Sequence, residues 1–360
     1  MFGQYSLESF YIFSALLLSL VFAVSALLVR PIKRFVVAQN ITDDPSSAAH
    51  RKKHLTIIPL ACGMSFVISA SLAMALIVTA SYFHWIDFNQ FIFEPNWARK
   101  IIAVLGAIVV LSIGGLLDDL KLMRPSQQTL VVLVAAGLVV FGADVRIPDF
   151  PLFGNIEWIN QLLTVLWLAA CTAATKFLDG HDGLVPSVGI IGLLGIASIS
   201  LFNVVQEPLV ALFALVWVAA IAGFLPFNFP NARVYMGEGA SYIVGFMIGI
   251  LSILSDSKLV TASTVIGYFI FDLIIVWGLR LRDKRNPLTS GDRLHWHHRL
   301  LDLGLDKLQV LVFTVLILLV STHLNLWFRS SLDWYVLLLQ PILLAIIFLI
   351  LRQKKKPVEA

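Results

Sequence analysis

The stretch FYIFSALLLSLVFAVSALLV, residues 10–29, carries no charged residue and runs directly into a basic segment, RPIKR, at residues 30–34. A helix of about 20 apolar residues spans the ~30 Å hydrocarbon core of a bilayer. Residues 1–10 contain Glu8 as their single charge, so the stretch lacks the basic start of a cleaved signal peptide. We therefore expect a retained transmembrane helix here.

The rest of the chain repeats this pattern. Of the 360 residues, 59% are apolar and 13% are charged, which is too few charges to cover a water-soluble domain. The apolar runs are continuous rather than alternating, which excludes a β-barrel, and the composition excludes disorder and a nucleic-acid partner. We predict an all-α polytopic membrane protein with about 11 transmembrane helices, at residues 10–29, 57–82, 101–117, 129–145, 161–178, 184–205, 208–227, 241–255, 260–280, 309–327 and 334–351.

The distribution of positive charge predicts the orientation of these helices. With the N-terminus outside and the C-terminus cytoplasmic, 21 of the 26 Lys and Arg residues fall on inner segments. This split is what the positive-inside rule predicts for an odd number of spans. We expect residues 1–351 to form a single integral-membrane domain and residues 352–360 to form a basic cytoplasmic tail. Cys62 and Cys171 lie within apolar runs, so no disulfide framework is expected.

The acidic residues and histidines fall mostly at the cytoplasmic ends of the predicted spans. A transporter would be expected to place ionisable groups near the middle of the bilayer and to show internal repeats. Asp272, within the ninth span, is the main residue of that kind. The pattern favours an active site at the cytoplasmic interface, where a water-soluble substrate can meet a lipid.

Two segments carry paired aspartates. GGLLDDLKL ends the third span with Asp118 and Asp119, which diverge by about 100° on a helix, so that one of them points fully into a site. KFLDGHDGL places Asp179 and Asp182 between two spans, with interleaved glycines that allow a close approach to a ligand. Solvated helix ends and a polar turn are the plain structural alternatives.

Two further segments carry charges suited to phosphate. In FLPFNFPNARVYMGEGASYIVGF, Glu238 lies between glycines just before a helix whose free N–H groups favour an anion, and its carboxylate could instead hold Mg²⁺. RNPLTSGDRLHWHHRL is a basic loop with three neighbouring histidines. Without cysteine partners these make a poor zinc site, so donation to phosphate is favoured.

In this order, the segments resemble those of the polyprenyl-phosphate N-acetylhexosamine-1-phosphate transferases, the WecA/MraY-like glycosyltransferase family 4. The resemblance begins with DDPSSAAHRKKHLTIIPLACG and continues through GGLLDDL, FLDGHDGL, FNFPNARVYMGEGAS and GDRLHWHHRL, from about residue 43 to 305. The histidine loop and the RKKH segment are of the type found in the WecA-like branch.

The resemblance implies transfer of an N-acetylhexosamine 1-phosphate from a UDP-sugar, UDP-GlcNAc being favoured, to undecaprenyl phosphate, with release of UMP. It implies Mg²⁺, with Mn²⁺ as an alternative, a multi-pass protein of the bacterial inner membrane, and a homodimer as an option. Asp118 would orient or deprotonate the lipid phosphate with support from Asp119, and Asp118 and Glu238 would ligate the metal. Asp179 and Asp182 would line the nucleotide pocket. The implied substrate-binding residues are Lys53, His54, Lys176, Asn228, Asp292, Arg293, His295, His297, His298 and Arg299.

Three departures from the family pattern bear on this site. The family has Asn where this chain has Lys176, and a protonated ammonium cannot ligate Mg²⁺. The metal-binding aspartate is replaced by Glu238, and Gln128 lies near the place of a basic residue. A rearranged site, in which the ammonium binds phosphate or pairs with the glutamate, is one consequence, and an inactive paralogue is the other.

Other hypotheses stay open at this point. They are a phospho-MurNAc-pentapeptide transferase like MraY, a transporter or lipid-binding membrane protein, and an inactive scaffold that keeps substrate binding. No residue identifies the donor sugar or the pathway, although each pathway of this kind is the first membrane step of a cell-envelope polysaccharide such as O-antigen in lipopolysaccharide.

Overall fold

The computed structural model of the chain describes residues 7–43, 57–83, 96–147, 156–202, 207–255, 260–286 and 294–327. This part of the chain is helical apart from its loops and one pair of short strands. In chain order the elements are α1 (Leu7–Ala38), β1 (Thr42–Asp43), β2 (Ile58–Pro59), α2 (Met64–Tyr82), α3 (Trp97–Asp119), α4 (Pro125–Ala143), α5 (Glu157–Leu178), α6 (Leu184–Phe202), α7 (Pro208–Asn228), α8 (Glu238–Leu254), α9 (Val260–Arg282), α10 (Trp296–Asp302) and α11 (Lys307–Trp327).

The helices confirm an all-α polytopic membrane protein. Seven of them, α1 to α7, are long and apolar enough to cross a membrane, and α8 and α11 contain shorter apolar stretches. Ten of the predicted spans coincide with helices, whereas the span predicted at 334–351 lies outside the described residues. The short helix α10 falls in the histidine loop, where no helix was predicted.

Two predicted boundaries differ from those of the helices by more than four residues. The first helix does not end at residue 29 but continues through Pro31 to Ala38, because one missing N–H does not break a helix of 32 residues that packs against α2 and α7. The second helix begins at Met64 rather than at residue 57. Residues 58 and 59 instead pair with β1 in antiparallel register, so their backbone groups are used in a strand.

Helix α8 lies at the centre of the bundle and packs against α3, α5, α6 and α9. All of its residues except Glu238 and Ile253 are buried. It approaches α3 closely because Gly115 and Gly239 face each other, and a Cβ atom on Gly115 would collide with the backbone of Gly239. On its other side, the Thr175 hydroxyl of α5 donates to the Ser241 carbonyl oxygen at 2.7 Å. The C-terminal ends of α3 and α5 are thereby brought to the N-terminal end of α8.

The segment before α8 is anchored to β2. The Tyr235 N–H donates to the Pro59 carbonyl oxygen at 2.8 Å, and the Gly63 N–H donates to the Met236 carbonyl oxygen at 2.9 Å. Gly237 then adopts φ +82°, and a Cβ atom there would collide with Asp119 and the Ala61 backbone. A glycine is therefore required where the chain turns into α8.

Candidate active site

Side chains from four helices meet in a lysine–carboxylate cluster, which consists of Asp118, Gln128, Lys176, Glu238 and Tyr242. The Lys176 ammonium lies 3.2 Å from Asp118 Oδ2 and 3.7 Å from Glu238 Oε2. The same ammonium donates to Gln128 Oε1 at 2.6 Å and to the Tyr242 hydroxyl oxygen at 2.7 Å. Little solvent reaches the pair at the centre, since the Lys176 and Asp118 side chains are 20% and 12% exposed. The ammonium is thus enclosed by oxygen atoms.

Asp118 is held by three donors. Gln128 Nε2 donates to Asp118 Oδ1, while Lys176 and the Tyr242 hydroxyl both donate to Asp118 Oδ2, each at 3.2 Å. Such a carboxylate has a fixed orientation. The role of Asp118 in orienting or deprotonating the lipid phosphate stays a prediction.

Asp119 binds the N-terminal end of the adjacent helix α8. Its Oδ1 accepts the Glu238 N–H at 3.2 Å, which satisfies one of the N–H groups left free at the start of α8. Asp119 therefore fixes the position of the Glu238 backbone, while Asp118 faces the cluster. The divergence expected for neighbouring residues on a helix separates the two aspartates in this way.

Asp179 lies just beyond the end of α5, close to the carboxylates of Glu238 and Asp119. Burial raises the pKa of Asp179 well above its usual value of 3.8, and the two neighbouring negative charges raise it further. A carboxyl group in these surroundings favours its protonated form over a wider pH range than an exposed aspartate.

Asp182 is a buried anchor for the loops around it. Its Oδ2 accepts the N–H groups of Asn231 and Ala232 at 3.2 and 3.3 Å and the Lys307 ammonium at 2.7 Å. Asn228 has a similar task. Its Oδ1 accepts the Gly183 N–H at 3.1 Å, and its Nδ2 donates to the Val234 carbonyl oxygen at 2.9 Å. The contacts of both side chains support positioning of the loops.

A histidine cluster, His181, His295, His297 and His298, lies beside these loops. Asp272 of α9 is buried and uses both carboxylate oxygens here: Oδ2 lies 2.8 Å from His295 Nδ1, and Oδ1 accepts the Trp296 N–H at 3.1 Å. Asp272, the ionisable residue found within the ninth predicted span, therefore supports the histidine loop. Arg299 adds to this support, because its Nε donates to the Leu294 carbonyl oxygen at 2.7 Å.

The rings of the histidine cluster lie against the loop that follows α5. His295 stacks on Phe177 with ring centroids 5.5 Å apart, and the His297 and His298 centroids are 4.2 Å apart. A Cβ atom on Gly180 would lie 3.4 Å from His297 Nε2. His181 comes from the loop itself, and burial lowers its pKa from 6.5, so the ring favours its neutral form.

Most residues predicted for the site are brought together. Lys53, His54, Asp292 and Arg293 lie outside the described residues. From the sequence, no role in the site was assigned to Tyr242, Gln128, Lys307 or Asp272. Tyr242 follows Glu238 by four residues and so shares its helix face, which was a usable signal. Lys307 had no signal beyond its positive charge.

Mg²⁺ was expected between Asp118 and Glu238. The carboxylates of both residues face the Lys176 ammonium, and a divalent cation placed there would be repelled by that charge. In the described part of the chain, no group of three or more His, Cys, Asp or Glu side chains could hold a metal ion. The residues present therefore do not fit Mg²⁺ at this position. Whether the reaction uses Mg²⁺ at all stays an untested expectation.

The comparisons with known proteins give the family of the chain. Residues 101–256 match the model of glycosyl transferase family 4. A probable undecaprenyl-phosphate N-acetylglucosaminyl 1-phosphate transferase of Bacillus subtilis is 30% identical over 300 residues, which cover 80% of this chain and 78% of that protein. The chain belongs to glycosyl transferase family 4 and is a transferase of the membrane.

Two further relatives represent different branches of the family. A decaprenyl-phosphate N-acetylglucosaminephosphotransferase of Mycolicibacterium smegmatis is 29% identical over 248 residues, covering 58% of this chain and 60% of the relative. A phospho-N-acetylmuramoyl-pentapeptide-transferase of Staphylococcus saprophyticus is 25% identical over 344 residues, covering 89% and 99%. The higher identity to the N-acetylglucosamine transferases favours the WecA-like branch, and membership in a transferase family argues against a transporter.

Proposed function

We propose that this chain transfers an N-acetylhexosamine 1-phosphate from a UDP-sugar to undecaprenyl phosphate at the cytoplasmic face of the bacterial inner membrane. UDP-GlcNAc is the favoured donor, because the relative from Bacillus subtilis is named for N-acetylglucosamine and undecaprenyl phosphate. The products are undecaprenyl-pyrophosphoryl-sugar and UMP, which makes this the first membrane step of a cell-envelope polysaccharide.

The proposed chemistry is one phosphoryl transfer. An oxygen of the lipid phosphate forms a bond to the β-phosphorus of the UDP-sugar. The bond between that phosphorus and the oxygen bridging to the α-phosphate breaks, and this oxygen leaves with its electron pair as part of UMP. Both reactants are anions, so fixed positive charge and hydrogen-bond donors must offset their repulsion.

One observation carries the proposal: the end of α5 and the loop that follows it join the two clusters. Lys176 belongs to the lysine–carboxylate cluster, and Asp179 lies beside Glu238 and Asp119. Phe177, between them in sequence, stacks on His295, and Gly180 lies next to His297. The five consecutive residues 176–180 thus hold a negative cluster with its own cation beside a cluster of imidazoles.

The histidine cluster supplies the groups for phosphate. His181 Nε2 and His295 Nε2 are buried, and neither has a hydrogen-bond partner among the described residues. Burying a polar atom without a partner costs free energy, which a bound ligand would recover. The neutral His181 ring bonds the Asp182 carbonyl oxygen through Nδ1, so its Nε2 accepts a hydrogen bond from a ligand hydroxyl, and His295 Nε2 is the atom that a phosphate oxygen would satisfy. Asp272 fixes Nδ1 of His295 as the nitrogen that is already bonded, so in the imidazolium form Nε2 donates to the ligand.

The test is UMP release by the purified protein in detergent. The reactions contain undecaprenyl phosphate and, in turn, UDP-GlcNAc, UDP-GalNAc and UDP-MurNAc-pentapeptide. The expected result is release that requires the lipid and is at least about tenfold faster with UDP-GlcNAc than with the pentapeptide donor, since a site built for one donor loses contacts with another. Glu157→Gln is the matched control. It also removes a carboxylate, but from an exposed ion pair with Arg146 at the start of α5, far from the candidate site at the end of that helix.

Each other outcome has a definite meaning. Release with UDP-MurNAc-pentapeptide alone would assign the chain to the second branch. Folded protein that binds UDP-sugar but releases no UMP with any donor would overturn the proposal in favour of an inactive member of the family.

A further inference from the structure

The Lys176 ammonium occupies a position that has the chemical character of a cation site. Four oxygen atoms surround it: Asp118 Oδ2, Gln128 Oε1, the Tyr242 hydroxyl and Glu238 Oε2, at 3.2, 2.6, 2.7 and 3.7 Å. Two of these oxygens are carboxylate and one is an amide carbonyl. This set of hard oxygen donors is what a divalent ion such as Mg²⁺ prefers in proteins.

The ammonium is fully engaged in this position. It has three hydrogens, and three of the four oxygens lie within 3.2 Å of it, so each hydrogen has an acceptor. The Tyr242 ring adds to the hold, with its centroid 5.0 Å from Lys176 Nζ. Movement of this side chain to another place would leave two partly buried carboxylates facing each other without a cation.

The side-chain amide of Gln128 contacts both charged groups at the centre of the cluster. Its Nε2 donates to Asp118 and its Oε1 accepts from Lys176, so the amide bridges an anion and a cation. A basic side chain in this place would face the ammonium with a like charge. The three positions at which the chain departs from the family pattern, Gln128, Lys176 and Glu238, are therefore parts of one contact network.

We propose that Lys176 is the built-in cation of this site: its ammonium takes the position between Asp118 and Glu238, and no divalent metal ion binds there. A fixed unit charge then lies next to the site where the two phosphates meet, and its effect on turnover rests on the proposed function. The occupancy of the position by the ammonium does not rest on the proposed function, because it depends only on contacts within the chain.

The experiment measures Mn²⁺ binding to the purified protein in detergent, without substrate, from the loss of the electron paramagnetic resonance signal of free Mn²⁺. The single variants Glu238→Gln and Asp118→Asn are expected to bind Mn²⁺ as the wild type does. Lys176→Asn removes the like charge and leaves the carboxylates, so it is expected to bind Mn²⁺ at least about tenfold more tightly. Lys176→Asn/Glu238→Gln is expected to lose that site.

Lys307→Asn is the matched control. It removes an ammonium from Asp182, a single carboxylate that also accepts two backbone N–H groups, and is expected to create no Mn²⁺ site. Lys176→Gln serves as the second variant if Lys176→Asn does not fold.

Two results would overturn the inference. One is Mn²⁺ binding by the wild type that Glu238→Gln abolishes. The other is a folded Lys176→Asn or Lys176→Gln protein without a new Mn²⁺ site, which would mean that the oxygens around the ammonium do not form a cation position. Neither result depends on UMP release, so failure of this inference is distinguishable from failure of the proposed function.

Discussion

The lysine–carboxylate cluster and the histidine cluster lie side by side but are built in opposite ways. In the first, the Lys176 ammonium of α5 lies between the carboxylates of Asp118 on α3 and Glu238 on α8, and every oxygen of Asp118 has a donor. In the second, the rings come from a loop and from the short helix α10, the buried Asp272 holds His295, and His181 Nε2 and His295 Nε2 have no partner among the described residues. The difference shows where a ligand is needed: Asp118 and Lys176 are satisfied within the chain, whereas, within the two clusters, the buried polar atoms without a hydrogen-bond partner in the described residues lie among the histidines and at Glu238 Oε2.

The largest effect is expected from breaking the lysine–carboxylate cluster. Asp118→Asn removes the carboxylate that faces the Lys176 ammonium, so the ammonium loses its orientation and the site loses a fixed charge. We expect turnover to fall at least about a hundredfold, as happens when a preorganised electrostatic group is removed. The measurement is UMP release by protein shown to be folded by its thermal unfolding, beside Glu157→Gln. Turnover within threefold of the wild type would contradict the assignment of this cluster to the active site.

A loss of about a hundredfold is also expected from the histidine cluster when His297→Ala removes a ring whose centroid lies 4.2 Å from that of His298 and whose Nε2 lies next to Gly180. If the cluster binds phosphate, the loss is expected mainly as an increase in KM for the UDP-sugar, since a ligand contact is removed. Steady-state kinetics at varied donor concentration separate the two parameters. A decrease in kcat with KM unchanged would instead indicate that His297 acts only in the transition state and does not bind the donor.

A smaller effect is expected at the support of the histidine cluster. Asp272→Asn keeps the size of the side chain and an oxygen for the Trp296 N–H but removes the charge that faces His295. Losing a charged hydrogen bond of this kind costs about 1.5–3 kcal/mol, so we expect KM for the donor to rise about tenfold and kcat to change little. Asp272→Glu, which keeps the charge, is expected to recover part of the affinity. Equal losses in both variants would indicate that Asp272 has only a packing role.

The smallest effects concern stability: Asp179, which lies beside the first cluster, and His181, which belongs to the second, should respond to pH with opposite sign. The pKa of Asp179 is raised in the folded state, so its ionisation opposes folding above 3.8, and Asp179→Asn should raise the melting temperature at pH 8 by an amount that shrinks as the pH falls. The pKa of His181 is lowered, so its protonation opposes folding below 6.5, and His181→Gln should raise the melting temperature only as the pH falls below that value. Thermal unfolding in detergent from pH 8 to 5 measures both. The same trend in both variants would contradict the opposite pKa shifts of Asp179 and His181.

Much of the fold could be predicted because hydrophobic length is a local property. Ten predicted spans coincide with helices, since about 20 apolar residues can hardly do anything else in a bilayer. The errors arose where tertiary contacts overrule local signals: α1 continues through Pro31, and the segment at Ile58 pairs as a strand. Neither the packing that supports a proline nor the partner of a short strand is visible in a run of apolar residues.

In the candidate site too, local sequence predicted one part and tertiary contacts decided the other. Asp118, Lys176, Glu238 and the histidines could be named from the sequence because their motifs are short and ordered. The partners of these residues could not. Gln128 lies 48 residues from Lys176, and Asp272 lies 23 residues from His295, so only the packing of helices brings each pair together.

The sequence by itself determined the class of protein and the helices and named the candidate residues of the site, because composition, hydrophobic length and motif order are written along the chain. Only the tertiary structure decided what those residues contact. The close approach of α3 and α5 to the glycine-lined start of α8 places a lysine between two carboxylates. Interactions between charges depend on distances of a few ångströms, and such distances are set by helix packing rather than by spacing in the sequence.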